Sequence, residues 1–188
     1  MRKFAGVLFL SCLILLAGCN SISKYDDEDV AAIVRGEEIT VGELRFLYPD
    51  DKILDSLDGM IKAKLVEQEV MRMKLDVSEK LQEVQASESS IRDFYPPEDD
   101  DSETAKNIRN LNESQAKKLG MEPSEYFVKH TLAYRESGVY LLAYVDKMIG
   151  EPMLYDEDFD INEYNAKGNQ VLDQLVEENK DEIEIFIK

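Results

Sequence analysis

The sequence predicts a mostly helical fold that is closed by a small sheet of N- and C-terminal strands. Several long stretches place apolar side chains at three-to-four-residue spacing, which is typical of helices that pack on one face. Val30–Val34 is a short apolar run, and residues 182–188 alternate isoleucine with charged or aromatic residues. Both segments have strand patterns. Because a single strand has no partner, we expect these two to pair and to bring the ends of the domain together.

The first residues resemble an export signal. Arg2 and Lys3 precede an apolar run over residues 4–17, which is shorter than the roughly 20 residues of a membrane span. The run ends in Leu16-Ala17-Gly18-Cys19, which is similar to the lipobox of bacterial lipoproteins. In that family the cysteine thiol receives diacylglycerol, the peptide is cut before the cysteine, and the new amine is often acylated, for example with palmitate.

The resemblance to the lipobox implies a signal peptide over residues 1–18 and a lipidated Cys19 on the outer face of the bacterial cytoplasmic membrane. A plain signal anchor, or a cleaved signal with an incidental cysteine, is the alternative. Residues 19–29 are mostly small, polar and acidic after the cysteine, and are predicted to form a flexible tether.

Charge limits the partners. Removal of residues 1–18, which carry two positive charges and no acid, takes the net charge from −18 to −20. Such a chain is repelled by nucleic-acid phosphates and by anionic headgroups, so we expect no nucleic-acid partner and a membrane contact through the lipid alone. Cys12 leaves with the signal and the lipid consumes the Cys19 thiol, which leaves no cysteine for a disulfide or a nucleophile.

Residues 30–188 are predicted to form a single helical domain. After Val30–Val34, Gly36-Glu37-Glu38 is predicted to turn the chain. Thr40-Val41-Gly42-Glu43 has the form of a capping box and predicts a short helix that ends before Pro49. A longer helix is expected to follow, with residues at three-to-four spacing from Ile53 to Gln68 and with Glu67 and Glu69 on its other side.

The middle of the chain alternates helices with clear interruptions. Leu75-Asp76-Val77-Ser78 ends the long helix, and Ser78 is predicted to cap another that runs toward Ile91. Residues 95–103 contain two prolines and a run of acids, which predicts a solvated acidic loop. A helix over about residues 104–119 is expected to end at Gly120.

Two further helices complete the prediction. Pro123 suits a first helical turn, and residues 124–149 are expected to form the longest helix, ended by Gly150 and Pro152. Residues 169–179 place Val171, Leu172, Leu175 and Val176 on one side and predict a shorter helix before the last strand.

Several of these segments resemble the N-terminal domain of the SurA/PrsA foldases. Residues 32–40, followed by Glu43-Leu44, are similar to the family pattern A-x-V-N-G-x-x-I-T-x-x-E-L, with Arg35 in place of the usual Asn. Residues 54–69 resemble the next helix, L-D-x-L-I-x-x-x-L-L-x-Q-E-A. Leu75-Asp76-Val77-Ser78 and residues 119–126 resemble the entries to two later helices.

The resemblance implies a SurA N-terminal-like helical domain onto whose N-terminal unit a C-terminal helix and strand fold back. It covers about residues 30–80 and part of residues 115–150. The family's parvulin isomerase module has no room in this chain, so isomerase catalysis is not expected. The implied activity is the binding of unfolded or exported polypeptides.

Candidate peptide-binding residues follow from the chemistry of such clients. Methionine and tyrosine side chains make large contacts with little demand on sequence. Met71, Met73, Tyr140 and Tyr144 are the candidates, with a place in the core as the alternative. Met60 and Tyr134 share the chemistry but are expected to lie in the core.

The sequence gives little support for a catalytic site or a metal site. Residues 156–162 superficially suggest a calcium loop, but Ile161 stands where glycine is needed and Lys167 where a bidentate glutamate is needed. His130, the only histidine, lies on an apolar helix face and is expected to be packed. We therefore expect no metal, no cofactor and no enzymatic activity.

Together these observations predict a lipid-anchored, extracytoplasmic, chaperone-like protein. The alternative is an envelope lipoprotein that binds one specific protein partner. A homodimer formed by exchange of the C-terminal segment is a further expectation left open, because that segment must reach back to the N-terminus.

Overall fold

The computed structural model describes residues 22–153 and 159–188, over which the chain is mostly helical with a small three-stranded antiparallel sheet. The predicted fold class is confirmed at this level. The predicted signal peptide, Cys19 and the first residues of the predicted tether lie outside the described residues.

The sheet joins the two ends of the domain as predicted. Its strands are β1 (Val30–Val34), β2 (Glu37–Thr40) and β3 (Ile183–Ile185), in the order β2-β1-β3. β1 pairs antiparallel with β3, so that Ala32 lies opposite Ile185. The regular strand at the C-terminus is shorter than the predicted residues 182–188, although Ile187 beyond it is buried.

β2 was not predicted, since residues 36–38 were interpreted as a turn. Only Arg35 and Gly36 turn the chain, with φ values of 49° and 81°. Positive φ at both central residues is typical of the two-residue type I′ hairpin, whose twist matches the flanking strands. Residues 37 and 38 therefore belong to the strand, where their side chains are exposed.

The segment before β1, which is the described part of the predicted tether, contacts the fold at a few points, while Lys24 and residues 26–29 are exposed. Ile22–Lys24 forms a single 3₁₀ turn, and Ile22 is only 3% exposed. The Arg45 guanidinium donates hydrogen bonds to the carbonyls of Ile22 and Tyr25 at 3.2 and 2.8 Å. The amide of Gly42 donates to the Asp27 carbonyl at 2.9 Å. The burial of Ile22 and these hydrogen bonds to backbone carbonyls attach the segment to α1.

The first two helices lie where the sequence predicted them. α1 (Val41–Leu47) begins with the predicted capping box, in which the Glu43 amide donates to the Thr40 hydroxyl at 3.1 Å and the Thr40 amide donates to the Glu43 carboxylate at 2.7 Å. α2 (Ile53–Met73) ends at Lys74, which adopts a left-handed conformation.

The next helix differs from the prediction in its cap and its length. It divides into α3 (Ser78–Ala86) and α4 (Glu88–Asp93) around Ser87. Ser78 does not cap α3. Instead the Asp76 carboxylate accepts hydrogen bonds from the Ser78 amide at 3.1 Å and from its hydroxyl at 2.6 Å.

α5 (Glu103–Lys118) agrees with the prediction for this region. The residues between α4 and α5 form no regular element, as expected for the acidic loop, and the Ser102 hydroxyl caps α5 by accepting from the Ala105 amide at 3.2 Å. Gly120 follows the helix with φ of 64°, the left-handed C-terminal conformation that glycine adopts without strain.

α6 (Pro123–Ile149) is the longest helix, as predicted. α7 (Ile161–Glu178) begins well before the predicted residue 169. The Asp160 carboxylate accepts hydrogen bonds from the amides of Asn162 and Glu163 at 2.8 and 3.3 Å, and this cap starts the helix early.

The main core lies between the sheet and helices α1, α2, α6 and α7. α2 contacts β1, α1, α6 and α7, while α6 also contacts α3, α4 and α5. The side chains buried most completely here include Ile39, Leu44, Ile53, Leu65 and Val70. Over residues 22–153 and 159–188, none of the helices is apolar and long enough to cross a membrane.

Candidate functional site

A groove between α2 and α6, closed at one side by β2 and α1, is the candidate binding site. Its volume is about 350 Å³. The apolar part of its lining consists of Ile39, Leu47, Met60, Ala63, Ala133 and Tyr140. Ala63 on α2 and Ala133 on α6 contribute only methyl groups, which leaves room between the two helices. The groove therefore offers an apolar floor with one adaptable thioether and one aromatic ring.

The polar part of the lining is mainly acidic. It consists of Glu43, Lys64, Glu67, Glu136 and Ser137. The Lys64 ammonium lies 2.8 Å from a Glu37 carboxylate oxygen and 4.0 Å from Glu67. The hydrogen bond from Lys64 holds the pKa of Glu37 below its ordinary value, so this cation is already engaged. The groove thus presents carboxylates to a ligand and favours a cationic one.

The predicted binding residues are not brought together. Tyr140 lies in the groove, where burial and, to a smaller extent, the carboxylates of Glu67 and Glu136 raise the pKa of its phenol. Tyr144 is only 4% exposed and belongs to the core. Met73 is half-buried against that core, and Met71 is 60% exposed near the end of α2, outside the groove lining.

Met60 and Tyr134 also differ from what was expected of them. Met60 packs against the core but lines the groove, so it serves both environments. Tyr134 is 74% exposed on α6, which corrects the expectation that it lies in the core. Both residues lie at helical spacing from apolar neighbours. That spacing does not show whether a residue of another helix or strand covers the side chain.

His130 is packed as expected. Its Nε2 atom lies 3.1 Å from the Leu47 carbonyl, which can only accept, so Nε2 carries the proton in this contact. The ring also lies beside those of Phe46 and Tyr126, with centroid distances of 6.3 and 5.4 Å. The histidine joins the start of α6 to the end of α1.

A charged cluster that the sequence analysis missed joins the hairpin, α2 and the end of α7. We call it the Arg35 cluster: Arg35, Glu69, Arg72 and Asn179. Arg35 donates to Glu69 at 2.6 Å and, through Nε, to the Asn179 side-chain oxygen at 2.9 Å. Arg72 donates to the other Glu69 oxygen at 2.6 Å. Glu69, expected on the polar side of α2, is 3% exposed and lies inside.

Arg35 has an unusual backbone conformation for an arginine. Its φ of 49° is a left-handed conformation that Asn adopts more readily than Arg. An Arg at this turn is explained by the reach of its guanidinium to Glu69 and Asn179. The sequence contained one sign that Glu69 is buried. Glu69 lies at helical spacing from Leu65 and Val66, on the same face as these buried residues.

Metal chemistry has no centre within the described ranges, because no group of three or more histidine, cysteine, aspartate or glutamate side chains there has the arrangement of a metal site. The calcium-loop pattern at residues 156–162 falls partly outside those ranges. Of its described members, Asp160 uses its carboxylate to cap α7. No known protein family, curated protein or solved structure matches the chain.

Proposed function

We propose that this chain is a lipid-anchored, extracytoplasmic, chaperone-like protein that binds unfolded or exported polypeptides without isomerase catalysis. The observation that carries the proposal is the groove between α2 and α6, with its apolar floor and acidic rim. The similarity of residues 30–80 to the SurA/PrsA N-terminal pattern, and of residues 16–19 to a lipobox, supports the same function and its place at the membrane.

The groove suits an extended client rather than a single small ligand. Its volume of about 350 Å³ is open to solvent between two helices and accommodates a few apolar side chains. Met60 and Tyr140 can repack around side chains of different shape, as a surface that accepts many sequences requires. Glu43, Glu67 and Glu136 attract lysine and arginine next to those apolar residues.

Filling the groove tests the proposal. We expect residues 20–188 to suppress the aggregation of two or three unrelated denatured proteins at near-stoichiometric ratios. Ala133→Trp places an indole in the groove, and we expect it to weaken client binding about tenfold, since each 1.4 kcal/mol of lost affinity is a factor of ten. Light scattering during client refolding measures the effect.

Ala166→Trp on the exposed face of α7 is the matched control, since it adds the same indole away from the groove. It should suppress aggregation like the unchanged protein, and circular dichroism should show the same helix content for both variants. Absence of suppression by the unchanged protein for every client would contradict the proposal. Tight one-to-one capture of a single envelope protein without any effect on aggregation would favour the alternative, a lipoprotein with one dedicated partner.

A further inference from the structure

The outer edge of β3 carries backbone groups that point away from the sheet. On its inner side, the Phe186 amide donates to the Ala31 carbonyl at 2.9 Å and the Arg35 amide donates to the Glu182 carbonyl at 2.8 Å. Because the backbone groups of an antiparallel strand alternate in direction, Ile183 and Ile185 face the opposite way. Within residues 22–153 and 159–188, β3 is the last strand of the order β2-β1-β3, so no further strand pairs with this side.

These outward groups can pair with another strand. The Ile183 amide donates back to the Lys180 carbonyl. Among the residues that the structure describes, no hydrogen bond reaches the Ile183 carbonyl or the amide and carbonyl of Ile185. The Ile185 side chain is 49% exposed. An open strand edge of this kind is a template for an added strand.

A second groove lies directly beside this edge. Its volume is about 390 Å³, and its apolar lining consists of Ile61 on α2, Val176 on α7, and Ile183 and Ile185 on β3. Alternate side chains of a strand point to the same face. A strand that pairs with β3 would therefore direct every second side chain toward this groove and cover Ile185.

Charge selects the other side chains of the added strand. Glu182 and Glu184 are exposed, alternate with the isoleucines, and have no ion-pair partner within residues 22–153 and 159–188. By contrast, Lys62 and Lys180 at the groove pair with Asp173 and Glu177. A residue opposite Glu184 is therefore favoured if it is cationic, because opposite charges across a strand pair attract.

We propose that the open edge of β3 is a strand-addition site for an extended polypeptide segment that alternates apolar and basic residues. A second copy of this chain fits the site poorly, because its own edge carries the same glutamates and its net charge is −18. This inference rests on the proposed function, because its occupant is an extended client. It adds a second binding site, at which β3 forms hydrogen bonds with the client backbone.

Peptide binding tests the site. The probes are three capped, fluorescent octapeptides: alternating Val-Lys, alternating Val-Glu, and a block peptide of four valines followed by four lysines. Residues 20–188 are used, since every contact described for the fold lies in residues 22–188. We expect fluorescence anisotropy to show binding of the alternating Val-Lys peptide, with affinity at least about fivefold above that for the other two. Equal affinity for the block peptide would overturn the proposal, because general charge attraction would then explain the binding.

Two variants separate the edge from the rest of the surface. Glu184→Lys changes an exposed side chain, and we expect it to reverse the preference between the Val-Lys and Val-Glu peptides. Ile185→Pro removes an outward amide without removing a bond to β1, and we expect at least a fivefold loss of Val-Lys binding. Unchanged binding by either variant, with unchanged circular dichroism, would contradict the site.

The groove variant Ala133→Trp distinguishes this inference from the proposed function. Because the α2–α6 groove also attracts apolar and basic side chains, the Val-Lys peptide is measured on this variant as well. We expect binding to persist when that groove is filled and to be lost when Ile185→Pro is added. If the unchanged protein suppresses aggregation but does not bind the alternating peptide, only the strand-addition site is wrong. If residues 20–188 sediment as a dimer that Ile185→Pro converts to a monomer, a second copy occupies the edge and the proposal is overturned.

Discussion

Replacement of Glu69 by alanine is expected to lower the free energy of unfolding by about 3 kcal/mol, because it leaves the partly buried Arg35 guanidinium without its anion. Glu69 is 3% exposed and accepts hydrogen bonds from Arg35 and Arg72. The same guanidinium also holds the Asn179 side chain at the end of α7. The loss therefore loosens the hairpin, α2 and α7 together. Urea unfolding followed by circular dichroism measures it.

The matched control is Glu67→Ala, two residues away on the same helix. Glu67 is half-exposed and lies 4.0 Å from Lys64, so its removal should change the free energy of unfolding by no more than about 0.5 kcal/mol. Arg35→Ala combined with Glu69→Ala should cost less than the sum of the two single changes, since either one already breaks the pair. Equal stability of the Glu67 and Glu69 variants would contradict the role of the cluster.

The Arg35 cluster also predicts a pH dependence. Hydrogen bonds from Arg72, and then from Arg35, hold the pKa of Glu69 below its ordinary value of 4.5. A carboxylate with a lowered pKa in the folded state contributes stability above its unfolded pKa, and this contribution is lost as the pH falls through the folded value. The difference in unfolding free energy between the unchanged protein and Glu69→Gln should therefore shrink between about pH 6 and about pH 3. A constant difference across that range would show that the charge of Glu69 is not responsible.

Tyr144→Ala is expected to destabilise the fold by about 3 kcal/mol, because it removes a large ring from the core. Tyr144 is 4% exposed among the residues that pack between the sheet, α2 and α7. Its burial is also the main cause that raises the pKa of its phenol. Thermal unfolding followed by circular dichroism should show a melting temperature lower by about 6 to 12 °C.

Tyr134→Ala, on the same helix and with a side chain 74% exposed, should change stability by no more than about 0.5 kcal/mol. The comparison of Tyr144→Ala with Tyr134→Ala also decides how a loss of aggregation suppression is interpreted. A variant that replaces Met71, Met73, Tyr140 and Tyr144 together would be destabilised through the buried Tyr144, so its effect on aggregation would not report on Tyr140 alone. A stable Tyr144→Ala variant that no longer suppresses aggregation would instead place Tyr144 in contact with clients.

The elements that the sequence predicted well are those whose signal is local. The capping box at Thr40 and Glu43, the glycine after α5 and the proline at the start of α6 each mark a helix end through the chemistry of neighbouring residues. The start of α7 was missed, although Asp160 is an ordinary cap, because the first turns of this helix expose most of their side chains and lack an apolar stripe. β2 was missed for a similar reason, since only Ile39 within it is buried.

The candidate site was predicted less well. Tyr140 and Tyr144 lie one turn apart on the same side of α6, so their spacing gives them the same pattern. The facing residues separate them: small side chains of α2 and α6 leave a groove beside Tyr140, while the core closes over Tyr144. Glu69 was misplaced because a charged residue on a helix is usually exposed, and its partner Arg35 is distant in the chain.

The sequence by itself determined the mostly helical fold and several of the helix ends, because hydrophobic periodicity and capping chemistry act between near neighbours. It also predicted the pairing of the two terminal strands, because these segments had the clearest strand patterns. Only the tertiary structure decided that Ile22 is buried beside α1, that Glu69 is buried with Arg35, and which tyrosine lines the groove. Burial of a particular side chain depends on the residue that faces it from another element, and that residue is set by the packing of the whole chain.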